Sequence, residues 1–219
     1  VAINNAWRVR PDWDDLIFPE DFPPENRPTD LAPGQSLVQA DAFVPAQNAW
    51  GGFVYAGGTM AFTAGYWALE TLKPRVIAYL GCDMVYEGSR THFYGRGTAD
   101  PLRRDISLRS LEAKAARFMV LAARAGTAVV NLSHRPSRLV FPRKTPLTAV
   151  SARPFDYDFL CVEAALERER SLDYRVPSGR YWEEEERFDP AQIDALDMMW
   201  LEAADLDPTY RGGQVTAAE

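Results

Sequence analysis

Two cysteines and two histidines are all that 219 residues offer to thiol or imidazole chemistry. Cys82 and Cys161 stand far apart in unlike contexts, so the chain can build neither a disulfide scaffold nor a CxxC zinc site. His92 and His134 show no HxxxH or HExxH spacing. Carboxylates are left as the plentiful metal ligands, a set suited to magnesium or manganese, and no cofactor is obligatory. Positive charge is also short: 24 Lys and Arg face 31 Asp and Glu, for a net charge of -7. That overall field repels nucleic acid, which is not an expected partner. No apolar run approaches the ~20 residues of a membrane helix. Val1-Ala2-Ile3-Asn4-Asn5 has no basic n-region or cleavage signature, so the expected location is cytoplasmic, with no membrane span.

What the chain has is apolar bulk, 47% hydrophobic with 12% aromatic residues, enough for one domain core with an appendage. Val1–Ile3 reads as a strand that begins without a preceding turn, as though an earlier element were missing. Asp14–Phe18 is a second short strand, and Pro19–Pro33 is a proline-rich loop. Val38–Val44 and Gly52–Tyr55 read as short extended pieces. From Thr59 to Leu72 the apolar residues with interleaved alanines predict a buried helix, which Pro74 ends. Arg75–Leu80 then has the apolar density of a parallel strand covered on both faces. Asp83–Asp105 is a long loop rich in Gly, Arg and aromatics. Ser107–Ala125 is an amphipathic helix with Gly126 as its C-cap, and Thr127–Leu132 is a further buried strand. This order is that of a βαβ unit, so the expected class is α/β: a Rossmann-like parallel sheet flanked by helices over residues 1–145. A mostly helical C-terminal appendage follows over 146–219. Its last helix carries the stripe Ile193, Leu196, Met199 and Trp200, which packs on the domain or on a second subunit in a homo-oligomer.

Ligands of parallel sheets bind beyond the carboxyl ends of the strands. Three such places are polar here: Asn4-Asn5; Gly81-Cys82-Asp83 with Tyr86; and Asn131-Leu132-Ser133-His134-Arg135. Turn closure is the plain alternative at each. Gly57-Gly58-Thr59 precedes the buried helix, whose first N–H groups could face a phosphate, or Thr59 could simply cap it. Thr63 and Gly65, one turn on, could admit a ligand or only a packed strand. An imidazole is the natural base near neutral pH, and His92 lies in the long loop among Arg90, Tyr94 and Arg96, where anions would be welcome. Arg135, Arg138, Arg143 and Lys144 form a second basic cluster suited to a nucleotide's phosphates. The run Glu183–Glu186 reads as solvated surface.

Thr63-Ala64-Gly65-Tyr66-Trp67-Ala68-Leu69 followed by Val76–Leu80 and Gly81-Cys82-Asp83-Met84-Val85-Tyr86 resembles the core of the bacterial sialyltransferases of glycosyltransferase family forty-two. It is also similar to a broader group that includes the motility-accessory flagellin glycosyltransferases, the archaeal hydroxymethylpterin diphosphokinases and many phage and bacterial proteins. Thr91-His92-Phe93-Tyr94-Gly95 and the segment Asn131 to Arg143, with Ser133, Ser137, Leu139 and Phe141-Pro142-Arg143, extend the likeness over Val1 to about Arg143. The resemblance implies a transferase that takes a CMP-activated sugar and a hydroxyl acceptor. Asn4 or Asn5 would contact the nucleotide, and Thr63-Ala64-Gly65 would lie beside its ribose or phosphate. Asp83 and Tyr86 would stand at the leaving group, and His92 or His134 would be the base. Gly57, Gly58, Thr59, Asn131 and Ser133 complete the nucleotide side; Tyr94, Arg90, Arg96 and Arg135 complete the substrate side. The sialyltransferases have serines where this chain has Thr63 and Ala64, and an earlier glycine-rich strand. The alternatives are a pterin-type diphosphokinase, which would bring ATP and Mg2+ to Asp83 and Asp100, and a non-catalytic phage-type binding protein on the same scaffold.

Overall fold

The computed structural model describes residues 1–86 and 103–206. Among the described residues five short strands form two parallel sheets. In the first, β1 (Ala2–Ile3), β2 (Asp15–Ile17) and β3 (Ser36–Val38) lie in the order β1-β2-β3, with Ile3 opposite Ile17 and Ile17 opposite Val38. In the second, β4 (Val76–Tyr79) pairs with β5 (Ala128–Asn131), Tyr79 opposite Asn131, and Arg143 adds a single parallel bridge to Asn131. The architecture is thus mixed helix and strand with parallel pairing.

The helices explain two departures from the sequence pattern. Val38–Val44 is extended only to Val38. Helix α1 (Ala40–Ala49) takes over, burying Phe43, Ala46 and Gln47 at helical spacing and accommodating Pro45 in its second turn. Gly52–Tyr55 is likewise the start of the one-turn helix α2 (Phe53–Ala56), entered through Gly51 (φ 100°) and Gly52 (φ 87°). The expected buried helix is α3 (Met60–Trp67), capped by Thr59 and continued by a π-helical turn Ala68–Leu72 that stops at Lys73 in the left-handed conformation.

Helix α4 (Leu111–Arg124) starts at the Ser110 cap and is buried on nearly every face. Its expected polar face is covered because the C-terminal helices α6 (Phe159–Leu172) and α7 (Pro190–Ala203) bring Glu169 and Asp197 to meet Arg117 and Lys114. One apolar cluster therefore joins Phe118 and Val129 to Val162, Ile193, Leu196 and Trp200. The stripe on α7 faces the chain's own core, with Ile193, Leu196 and Trp200 buried and Met199 partly so. A one-turn helix, α5 (Pro146–Ala149), precedes α6. Strand β5 is fully buried, but β4 is only partly covered: Ala78 is exposed, and Leu80 just beyond it is 72% exposed. A second cluster packs Ile17, Val38 and Phe43 on Ala64, Trp67 and Ala68 of α3, with Ile3 and Ile77 both against it. Among the described residues no helix is long and apolar enough to cross a membrane.

Candidate functional site

The chain leaves β4 through two left-handed residues, Gly81 (φ 75°) and Met84 (φ 54°), which bracket Asp83. The carboxylate of Asp83 then closes a polar clasp on the chain leaving β5. Ser133 Oγ donates to Asp83 Oδ2 at 2.6 Å, and Asn131 Nδ2 lies 3.5 Å from Asp83 Oδ1. The Arg138 N–H donates to the Asp83 carbonyl at 2.9 Å, and the Ser133 N–H to Asn131 Oδ1 at 2.8 Å. Asn131 Nδ2 also reaches Ser137 Oγ at 3.1 Å. Arg143 stands 4.0 Å from Asp83 and donates to the carbonyls of Ser133 and Arg135. Asp83, Asn131 and Ser133 are thus brought together, each with its polar atoms engaged by the others. His134 and Arg135 are exposed beside them, while Arg138 forms a two-pronged pair with Glu112 at 2.8 Å on each side.

At the end of β1 the polar groups are not satisfied. Asn4 is left-handed (φ 50°) and opens a 3-10 turn, Asn4–Arg8. The Oδ1 atoms of Asn4 and Asn5 are both buried without a hydrogen-bond partner, and Asn5 is only 9% exposed. A buried acceptor left unpaired costs about 1–3 kcal/mol.

The turn before α3 is occupied by the chain itself. Gly58 donates its N–H to Ser107 Oγ at 2.9 Å, and Arg103 reaches its carbonyl at 3.3 Å. A Cβ on Gly58 would come within 2.4 Å of the Tyr181 hydroxyl, and one on Gly57 within 2.8 Å of the Phe62 ring. Tyr181 is fixed by Asp105 at 2.7 Å; burial, with the Asp105 charge beside it, pushes its hydroxyl up to about 12. Thr59 accepts from the Phe62 N–H at 3.3 Å as the helix cap. Thr63 is buried, and the space above Gly65 is filled: a Cβ there would lie 2.1 Å from the Tyr79 hydroxyl and 2.7 Å from Phe118. Gly57, Gly58 and Gly65 therefore serve close packing here.

Tyr86 is half-buried against the main core. His92, Arg90, Tyr94, Arg96 and Asp100 lie outside the described residues. Cys82 is half-buried, and burial raises its thiol to about 12, so it is protonated near neutral pH. Among the described residues no three His, Cys, Asp or Glu side chains gather as a metal site.

The largest polar constellation lies deeper. Arg117, 1% exposed, donates to both oxygens of Glu169 (2.7 and 2.8 Å), to the Tyr66 hydroxyl (2.6 Å) and to the Trp50 carbonyl (2.6 Å). Trp200 Nε1 adds a bond to Glu169 at 2.8 Å. Lys114 pairs with Asp197 at 2.7 Å, leaving Asp197 Oδ2 without a partner. In sequence, Lys114 and Arg117 sit at i, i+3 on a helix whose other charged residues, Glu112 and Arg124, stand near its ends. That spacing marks a shared face but does not name the acids that meet it.

Comparison with protein-family models, with curated proteins and with solved structures returns no match.

Proposed function

We propose that the chain is a transferase that uses a nucleotide-activated sugar, with the nucleotide at the carboxyl end of β1 and the chemistry at the ends of β4 and β5. The observation that carries this reading is the pair of unpartnered acceptors at Asn4 and Asn5. Buried polar atoms are nearly always satisfied in a folded protein, so these two call for an explanation, and a ligand is one; Gln47 Oε1, Asn48 Oδ1 and Asp197 Oδ2 share the condition elsewhere in the fold. Two carbonyl oxygens wanting N–H donors suit the exocyclic amine of a cytosine better than they suit a phosphate.

The pairing order supports the same reading. If β1 and β4 stand side by side, the strands run β3-β2-β1-β4-β5 with the Arg143 bridge beyond, the order of a doubly wound Rossmann-like sheet. Ile3 and Ile77 packing on one cluster is consistent with that neighbourhood. The crevice of such a sheet opens where the order reverses, between β1 and β4, beside the Asn pair.

In this reading His134 or His92 takes the proton of the acceptor hydroxyl as its oxygen attacks the anomeric carbon. The bond from that carbon to the phosphate oxygen breaks with inversion, and CMP leaves carrying the negative charge, met by Arg135, with Arg90 and Arg96 proposed for the same role. The Asp83 carboxylate, held by Ser133 and Asn131, keeps the β4 and β5 ends together. As a magnesium ligand for the diphosphokinase alternative it would keep these bonds as its orienting partners, since each oxygen has a further lone pair.

The test is the thermal midpoint with CMP, and separately with ATP and Mg2+. A ligand at a hundredfold its dissociation constant adds about 2.7 kcal/mol, or about 5–10 °C for a chain of this size. CMP is expected to raise the midpoint, and Asn5→Ala to abolish that rise while leaving the free protein's midpoint within about 3 °C, because the variant removes an unpaired acceptor. A response to ATP with Mg2+ alone would transfer the case to the diphosphokinase. No response to either nucleotide would overturn the proposal in favour of a non-catalytic role.

A further inference from the structure

We propose that Arg143 is a positioning residue that presents His134 at the end of β5, an inference that rests on reading His134 as the acceptor base. His134 is exposed, and among the described residues no hydrogen bond holds its imidazole, yet the backbone on both sides of it is fixed. The guanidinium of Arg143 takes the carbonyl of Ser133, immediately before it, and that of Arg135, immediately after it, the latter at 2.8 Å. Ser133 Oγ receives the Arg135 N–H at 3.1 Å, closing the turn from inside.

Anchorage of the chain does not account for this side chain. The Arg143 segment is already tied to β5 through its backbone: the Asn131 N–H donates to the Pro142 carbonyl at 3.0 Å, and the Lys144 N–H to the Asn131 carbonyl at 3.1 Å. The ion pair with Asp83 is long, 4.0 Å, and the Arg143 side chain is 35% exposed, a setting in which such pairs stabilise little. What remains for the guanidinium is its grip on two carbonyls one residue apart on either side of His134. A planar fork can hold both at once; an ammonium is a single point charge. Fixing a loop residue costs backbone entropy, and a base already held meets that cost before substrate arrives.

The experiment compares Arg143→Met, Arg143→Lys, His134→Asn and the double variant His134→Asn/Arg143→Met in release of CMP from CMP-N-acetylneuraminic acid. Arg143→Met is expected to lower kcat ten- to a hundredfold with KM unchanged and the pH–rate limb retained, Arg143→Lys to restore part of the loss, and the double variant to be no slower than His134→Asn. Independent, multiplying losses, or an unchanged kcat in Arg143→Met, would overturn the proposal. If the wild-type chain neither binds CMP nor releases it, the transferase reading fails and Arg143 is judged on 15N relaxation at the His134 amide. An order parameter near ~0.85 that falls below about 0.6 in Arg143→Met upholds the positioning role. An unchanged value sinks it.

Discussion

Glu169→Gln is the sharpest test of how the C-terminal helices are held to the α/β body. The substitution keeps size and shape but removes the only carboxylate bonded to the buried Arg117 guanidinium, and it turns one bonded oxygen into an NH2 that faces N–H donors. Removing one partner of a buried pair costs about 3–5 kcal/mol, because the remaining charge stays in low dielectric without compensation. The aromatic faces of Tyr66 and Trp200, 5.6 and 5.4 Å from the guanidinium carbon, soften this by only about 1 kcal/mol each. For an m-value near ~2 kcal/mol/M the urea midpoint should fall by about 2 M, and the thermal midpoint by about 6–20 °C. Far-UV circular dichroism in urea measures it. The double variant Arg117→Met/Glu169→Leu should be no less stable than Glu169→Gln, since the charges leave together and only neutral groups such as Trp200 Nε1 and the Tyr66 hydroxyl lose a partner. A loss below about 1 kcal/mol for Glu169→Gln, or a double variant that loses the sum of two single variants, would refute the view that this pair acts as one buried unit.

Gly65→Ala should destabilise by about 1–3 kcal/mol through overpacking against the Tyr79 hydroxyl and Phe118; a neutral result in urea unfolding would mean that α3 is free to shift on β4. Burial, only partly offset by Lys114, raises the Asp197 carboxyl above its usual range, with Asp194 adding to the rise and Arg109 opposing it. The folded state therefore holds this proton better than the unfolded one. The resulting stability is full below the unfolded value near ~3.9 and is lost as pH rises through the folded one. Asp197→Asn should accordingly lose more relative to wild type at pH 4 than at pH 7 in paired urea titrations, and the opposite order would contradict the assignment.

Much of the parallel framework was legible from local pattern. Val76–Leu80 and Thr127–Leu132 are apolar runs with a helix of the right length between them, and Gly126 stops that helix as a left-handed cap (φ 81°). Parallel pairing follows from the crossover. Val38–Val44 was illegible because its β-branched and aromatic residues carry strand propensity, while the helical signal is a three-residue spacing of Phe43, Ala46 and Gln47 that needs a partner surface to count. The amphipathic reading of α4 failed for a different reason. Lys114 and Arg117 are polar in any hydropathy scheme, and only the distant Glu169 and Asp197 make their burial tolerable. Long-range charge pairing has no local signature. Among the site residues, the grouping of Asp83 with Asn131 and Ser133 follows from their shared place at strand ends, whereas nothing in Gly57-Gly58-Thr59 announces that Tyr181, far along the chain, fills the space above it.

Unmet polar groups occur in the scaffold as well as at the end of β1: Gln47 Oε1, Asn48 Oδ1 and Asp197 Oδ2 are buried without a partner, as are the Oδ1 atoms of Asn4 and Asn5. The Arg117 cluster and the Asp83 clasp are dense and closed on themselves; their work is cohesion. Two adjacent asparagines at the end of β1 keep their acceptors buried and unpaired, in a chain that elsewhere recruits partners across long sequence distances. A fold able to satisfy Arg117 from Tyr66, Glu169 and Trp50 at once had the means to satisfy Asn5. It leaves Gln47 Oε1 and Asn48 Oδ1 unpaired as well. At His134 the flanking carbonyls of Ser133 and Arg135 are held by Arg143, while its ring has no hydrogen-bond partner among the described residues.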